Sequence, residues 1–306
     1  MTDKHAIVTG AHGFLGRHVA KVFSENGFSV TGLGHGTWIR SEWEQWGISD
    51  WHSCNITMAS LNTYIQQPDV IIHCAGSGSV GYSLTHPLQD YERTVSTSIT
   101  LLEFIRLHYP ETSFIYPSSA AIYGIADIFP IAESAPLHPV SPYGVHKKIV
   151  EEISQSYARH FAVPVAIVRF FSLYGPYLRK QLLWDACKKI TNNDFTFYGT
   201  GKEIRDWIHV TDAARLLFTL ASHASVDMPI VNGGSGIGTP ISNIINNIII
   251  IMNKSGIPLF SHEQKSGDPR EYIADIRNAL RYNWKPEITL ETGLPEYVQW
   301  FLTGAL

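Results

Sequence analysis

Residues 4–16 read Lys4-His5-Ala6-Ile7-Val8-Thr9-Gly10-Ala11-His12-Gly13-Phe14-Leu15-Gly16, and this stretch decides the fold class. Lys4 to Thr9 is a short β-rich run that reads as a buried strand. Three glycines follow at once, and Arg17 to Asn26 then carries Val19, Val22 and Phe23 at helical spacing. Strand, glycine turn and helix in that order give a G-x-x-G-x-x-G run its meaning as a phosphate cradle. Gly10 permits the tight turn, Gly13 removes a Cβ where backbone approaches a pyrophosphate, and Gly16 lets the helix pack on the strand. The first amides of the helix then face the phosphates. A plain glycine-rich turn is the competing reading, and the position directly after the first strand counts against it.

Outward from this turn, the first half alternates short β-rich runs with helical patterns, the sign of a parallel sheet with crossover helices. Ser29–Leu33, Asp69–Cys74, Ser113–Tyr116 and Val165–Arg169 read as strands, and Tyr143–His160 as a long helix; a second helix closes at Leu101–His108 before Pro110. Strands in such sheets present ligand-contacting residues at their carboxyl ends, which here are Ala75-Gly76, Ser118-Ser119 and Arg169-Phe170. After Phe171 the pattern turns irregular and rich in Gly, Pro and Asn. The fold expected is α/β: a Rossmann-type doubly wound parallel sheet with a smaller, loop-rich C-terminal cap. Residues 1–168 plus 205–225 form the dinucleotide-binding part, and 169–204 plus 226–306 the cap.

The chain has 306 residues, 44% of them hydrophobic and 16% charged, the profile of an ordinary globular protein with a sizeable core. Its formal net charge of −4 offers no basic field for nucleic acid. Cys54, Cys74 and Cys187 are scattered and odd in number, which argues for packing roles and a reducing, cytoplasmic compartment. No leader is visible ahead of the first strand. The most apolar run, Ile241 to Met252, is interrupted by Ser242, Asn243, Asn246 and Asn247 and suits an amphipathic helix, not a membrane span. The 14 histidines show no metal-binding spacing, so no metal is expected. Trp38, Trp43, Trp46 and Trp51 read as packing of the connection after the second strand, with a ligand-stacking platform as the lesser alternative.

Tyr143 and Lys147 lie four apart, on one face of the long helix. A free phenol titrates at about 10, and bringing it to about 7 needs roughly 4 kcal/mol of preference for the phenolate. A nearby cation, from lysine or an oxidised nicotinamide, favours that form. Ser119, at the end of a strand in Pro117-Ser-Ser-Ala-Ala-Ile-Tyr-Gly124, adds a hydroxyl that can bond a substrate carbonyl or alcohol. Each feature alone has a bland explanation; the ordered set of glycine turn, Ser119 and Tyr143/Lys147 does not.

Taken together, the chain resembles the extended short-chain dehydrogenase/reductases that act on nucleotide-diphosphate sugars. The resemblance rests on Thr9–Gly16, Ser119, Tyr143-Gly-Val-His-Lys147, Arg169–Pro176, Arg205–Asp212, Gly267-Asp-Pro269 and Asn283-Trp284. It implies that Gly10, Gly13, Phe14, Leu15 and Gly16 hold the dinucleotide, with Ala75 and Gly76 beside it. It further implies that Tyr143 exchanges a proton with the sugar hydroxyl, while Lys147 lowers its pKa and contacts the nicotinamide ribose. Arg205 would pair with the substrate diphosphate, with Arg270 a second candidate. Ser79 lies in a segment, Gly78–Pro87, that resembles epimerase substrate loops, and Ser172 replaces an asparagine common in the family's substrate site. Family members often pair through the helices carrying Tyr143 and Leu101–His108, so a homodimer is expected.

Departures from the family pattern narrow the chemistry. Gly34 stands where an acid usually binds the adenosine ribose of NAD, and His35 and Arg40 are nearby cationic candidates for a 2′-phosphate. NADP is therefore mildly favoured over NAD. Asn55-Ile56 replaces the Asp-Ile that meets adenine, and an amide oxygen can still accept from the exocyclic amine. Ala120 and Ala121 follow Ser119 where dehydratases carry an acid and where enzymes that epimerise C3 and C5 carry a cysteine. Neither alanine can move a proton. Two reactions at C4 of the hexose remain. The missing acid at Gly34 leans toward a 4-ketoreductase acting on a 4-keto(-6-deoxy) sugar nucleotide. The alternative is a 4-epimerase with tightly bound NAD. A non-catalytic dinucleotide sensor would predict a broken triad, and the triad is complete.

Overall fold

The computed structural model describes residues 4–263 and 269–304. The apolar run at the start forms β1 (Lys4–Thr9), and the glycine turn delivers the chain into α1 (Phe14–Glu25). The chain continues through β2 (Phe28–Gly34), α2 (Arg40–Glu44), β3 (Asp50–Ser53), α3 (Met58–Tyr64) and β4 (Val70–His73). Two short helices, α4 (Val80–Thr85) and α5 (Pro87–Tyr91), run through a π-helical turn at Glu92–Ser96 into α6 (Thr97–His108). Then come β5 (Ser113–Ser119), the long α7 (Pro142–Phe161), β6 (Val165–Phe170) and β7 (Ser172–Tyr174). The remainder holds α8 (Gln181–Thr191), β8 (Thr196–Phe197), β9 (Ile204–His209), α9 (Val210–Ala221), β10 (Ile230–Gly233) and β11 (Gly238–Pro240). It closes with α10 (Ile241–Ile251), β12 (Leu259–Phe260), β13 (Glu271–Tyr272), α11 (Arg277–Leu280) and α12 (Leu290–Gly304).

The central sheet has the order β10-β6-β5-β4-β1-β2-β3, with every pair parallel. The chain leaves β1 in one direction for β2 and β3 and returns to the other side for β4. That reversal opens a crevice at the carboxyl ends of β1 and β4, where Thr9 and His73 are register partners. One face of the sheet buries Val19, Phe23, Leu216 and Leu217 from α1 and α9; the other buries Leu101, Phe104, Ile105 and Val150 from α6 and α7. Both faces are covered, which is why the strands read as continuous apolar runs.

A second core joins α8, α10 and α12 around Tyr174 and Trp207. On α10, Ile244, Ile245, Ile248 and Ile249 are buried while Asn243, Asn246 and Asn247 face solvent, so the asparagines that interrupt the run mark an amphipathic helix. Beside this core β9 pairs with β7, β11 and β13. Two strands cross the division read from the sequence. β10 lies in the stretch assigned to the cap yet pairs with β6, and β9 lies in 205–225 yet pairs with cap strands. Among the described residues no helix is long and apolar enough to cross a membrane.

Candidate active site

The glycine turn works by close approach. Gly10 adopts φ +66°, and a Cβ there would lie 2.7 Å from the Ala75 amide nitrogen. A Cβ on Gly16 would lie 2.2 Å from the Gly10 carbonyl oxygen, so α1 sits directly on its own turn. Gly13 is the N-cap of α1, no side chain caps it, and the first turn carries no acid. The leading amides of α1 therefore face the cleft without a protein acceptor, the arrangement that receives a pyrophosphate. On these grounds the residues present fit a dinucleotide.

Gly13, Phe14 and Leu15 line one cleft together with Ala75, Gly76, Ser119, Tyr143 and Lys147, so the glycine turn and the start of the long helix share one cleft. β5 outruns β4, and its final residues have only β6 beside them. This leaves Ser119 at the cleft. Its Oγ accepts from the Ala121 amide (3.2 Å) and bonds the Tyr143 hydroxyl. Tyr143 enters from the first turn of α7, which Ser141 caps at the Gly144 amide (3.2 Å). Lys147, one turn later, donates to the Pro117 carbonyl at 3.0 Å. Its Nζ stands 5.8 Å from the Tyr143 ring centroid and 4.6 Å from that of Tyr116.

Burial sets the electrostatics here. It pushes the Tyr143 phenol above its ordinary value; the Ser119 bond works against this and the Asp90 charge adds to it. Burial also lowers Lys147 to about 8, opposed by Cys74, Asp90 and Glu151. The Cys74 thiol, at the same cleft, is pushed up to about 12 by burial and stays protonated. His73 is held down to about 3, first by burial and then by Lys147, so it is neutral. Thr9 Oγ1 accepts from the Ala75 amide (3.2 Å), and Thr97 Oγ1 donates to the Arg93 carbonyl (2.7 Å). The Thr9 hydroxyl must then donate to His73 Nδ1 (2.7 Å), and His73 Nε2–H to Thr97 (3.2 Å). This chain ties β1, β4 and α6 together under the cofactor cleft.

A second cleft opens from the first, sharing Val80, Ser119, Ala121, Phe171 and Ser172, and adds Arg205, Pro269 and Tyr272. Ser172 and Arg205 thus stand where a substrate would lie. Other expectations do not reach the clefts. Ser79 is not among the described lining residues, and its Oγ accepts from the Tyr82 amide (3.2 Å) as the N-cap of α4. Arg270 is exposed, and its carbonyl accepts from the Ile204 amide of β9 at 2.9 Å. Gly267 and Asp268 of the expected C-terminal motif lie outside the described residues.

The expected 2′-phosphate ligands also fall short. Arg40 pairs with Glu44 (2.7 Å) and lies over the Trp43 ring on the surface of α2. His35 is exposed, and its carbonyl accepts from the His12 ring (3.1 Å). At Gly34 a Cβ would stand 3.0 Å from the Trp51 indole, so packing of that indole accounts for the missing side chain. Asn55 is exposed just past the end of β3, and Ile56 packs into the core. The tryptophans pack as expected: Trp38 meets Trp51 at 5.2 Å, and Arg17 lies between Trp38, Trp46 and Tyr177.

Two features carried no sequence signal. Arg169 is buried and bidentate to buried Glu151 (2.7 and 3.2 Å), with Ser118 donating to the same carboxylate (2.5 Å). A lone arginine ending a strand and a lone glutamate on a helix give no hint that they meet. Lys180 and Gln181 line the cofactor cleft from the segment after Pro176, a segment without a motif.

A family model described as the NAD dependent epimerase/dehydratase family matches residues 6–234, most of the chain. The chain belongs to this family. The UDP-glucuronate 4-epimerase of Thermodesulfobacterium geofontis is 28% identical over 327 residues, covering 96% of this chain and 95% of that protein. Among solved structures, a UDP-glucose 4-epimerase from Thermotoga maritima with UDP-glucose superimposes with a TM-score of 0.89 at 25% identity, covering 99% of this chain and 100% of that one. The UDP-glucuronic acid 4-epimerase of Bacillus cereus, in complex with UDP-glucuronic acid and NAD, shares the fold with a TM-score of 0.87 at 23% identity, covering 97% and 99%.

Proposed function

We propose that the protein is a 4-epimerase of a UDP-linked hexose that retains NAD through its cycle. The observation that carries this reading is a complete Ser119–Tyr143–Lys147 set in clefts whose described lining residues include no carboxylate. Elimination needs an acid and a base beside the hexose C5 and C6, and Ala120 and Ala121 supply neither. The relatives named above are UDP-sugar 4-epimerases, one of them in complex with NAD. The sequence favoured a single reduction with NADP because Gly34 lacks an acid; Trp51 packing explains that glycine, and Arg40 is paired elsewhere. That ground for the ketoreductase is much reduced.

When bound, NAD supplies the hydride acceptor. Tyr143, as the phenolate that the Lys147 cation favours, takes the proton of the C4 hydroxyl while Ser119 holds the oxygen, and is left as the neutral phenol. Arg205 tethers the diphosphate from the second cleft, leaving the sugar ring free to present its other face. Tyr143 then returns the proton. The test is incubation with UDP-glucose, UDP-galactose or UDP-glucuronate and no added cofactor, followed by NMR. Interconversion at C4 is expected. No interconversion, together with net NADPH consumption on a 4-keto-6-deoxy sugar nucleotide, would establish the reductase instead.

A further inference from the structure

The dinucleotide cleft has two cationic side chains among its described lining residues, and only one belongs to the triad. The other is Lys180, on a strap from Tyr177 to Gln181 that joins β7 to α8. Lys180 Nζ donates to the Gly78 carbonyl at 3.2 Å, and Gln181 Nε2 approaches the same oxygen at 3.4 Å. The two residues therefore reach from the strap to the loop after β4, across a cleft whose other wall is Gly13, Phe14 and Leu15.

The strap is built to hold this position. Tyr177 and Gln181 adopt φ +73° and +68°, a region that disfavours side chains, so surrounding contacts must fix them. Those contacts are visible. The Leu178 side chain is buried and its carbonyl accepts from Tyr297 (2.9 Å), while the Tyr177 ring lies 4.5 Å from the Arg17 guanidinium carbon. Arg17 lines a different cleft, with His12, Trp38 and Trp46, and is not among the described lining residues of this one. The loop facing Lys180 is fitted to it: a Cβ on Gly78 would lie 2.9 Å from Nζ.

We propose that Lys180 is a cofactor-retaining residue, its ammonium spanning the cleft mouth and pairing with the dinucleotide pyrophosphate held at the start of α1. Amides alone supply no net charge there, and a fixed ammonium adds a charge-assisted bond to a phosphate oxygen. Burial lowers the Lys180 pKa, as expected for a cation placed to meet an anion that is not part of the chain. The strap thereby supplies the retention that hydride return demands. The inference needs only the dinucleotide chemistry of the family, so its test uses no sugar and is independent of the 4-epimerase reading.

The experiment loads the protein with NADH and follows loss of its fluorescence on chase with excess NAD. Lys180→Met is expected to release NADH about tenfold faster than the natural protein, and Lys180→Arg within about threefold of it. Gly78→Ala, which displaces the ammonium without removing it, should fall between them. Added salt should speed release from the natural protein more than from Lys180→Met. Release from Lys180→Met at the natural rate overturns the proposal.

Discussion

Lys147 is held by the Pro117 carbonyl at 3.0 Å, while its Nζ remains 5.8 Å from the centre of the Tyr143 ring. The strand end below the cleft thus fixes the cation, and the phenol above it stays protonated until ligands complete the site. The pair thus rests as a lysine cation beside a neutral phenol.

Removing only the phenol oxygen separates binding from chemistry. Tyr143→Phe should keep the fold and the dinucleotide affinity and lower kcat by about 10²–10⁴, the range for a lost general acid–base. Calorimetric titration with NAD and turnover of the same sample check both halves. Turnover near the natural rate would remove Tyr143 from the mechanism.

Lys147 also leaves a signature in stability. Its pKa falls from 10.5 to about 8 on folding. Between those values the unfolded chain binds a proton that the folded chain has released, so stability rises with pH at up to roughly 1.36 kcal/mol per unit. Below about 8 both states are protonated, and the folded chain carries the whole cost of the buried cation. Urea titrations from pH 7 to 10 should show the natural protein gaining on Lys147→Met above pH 8 and running parallel to it below.

Gly16→Ala should cost about 1–3 kcal/mol and most of the dinucleotide affinity, because its Cβ would press on the Gly10 carbonyl at 2.2 Å and displace α1 from the turn. Gly27→Ala is the control. Nothing lies within 4 Å of its Cβ, so it should lose only the strain of φ +83° and leave cofactor affinity intact. Denaturation midpoints and NAD titrations distinguish the two.

The sequence was most legible where local pattern and tertiary role coincide. Gly10, Gly13 and Gly16 announce a turn and also build it; Tyr143 and Lys147 share a helix face and also share a cleft. It was least legible where a role depends on partners far along the chain. Ser79 looked like a substrate contact, but its side chain turns to the first turn of α4 and accepts from the Tyr82 amide. Arg40 looked like a phosphate ligand, but Glu44 one turn away claims its charge. Gly34 looked like a statement about the cofactor and proved to be a statement about Trp51. β10 could not be assigned because a four-residue strand carries too little pattern to show which sheet it will join.

The buried Glu151–Arg169 pair joins α7, which carries Tyr143 and Lys147, to the ends of β5 and β6. Arg169→Met strands a buried carboxylate and should cost about 3–5 kcal/mol. Adding Glu151→Leu should recover much of that loss, since no charge is left unpaired. A double-mutant cycle by urea denaturation measures it.

The most direct test of the central claim is the fate of deuterium at C4. With UDP-glucose and UDP-glucuronate each deuterated at C4 and no added cofactor, the account predicts that at least one gives its C4 epimer with the label kept at C4, because the same hydride returns to the opposite face. Label lost to solvent or to free reduced cofactor, or no C4 product at all, would contradict it.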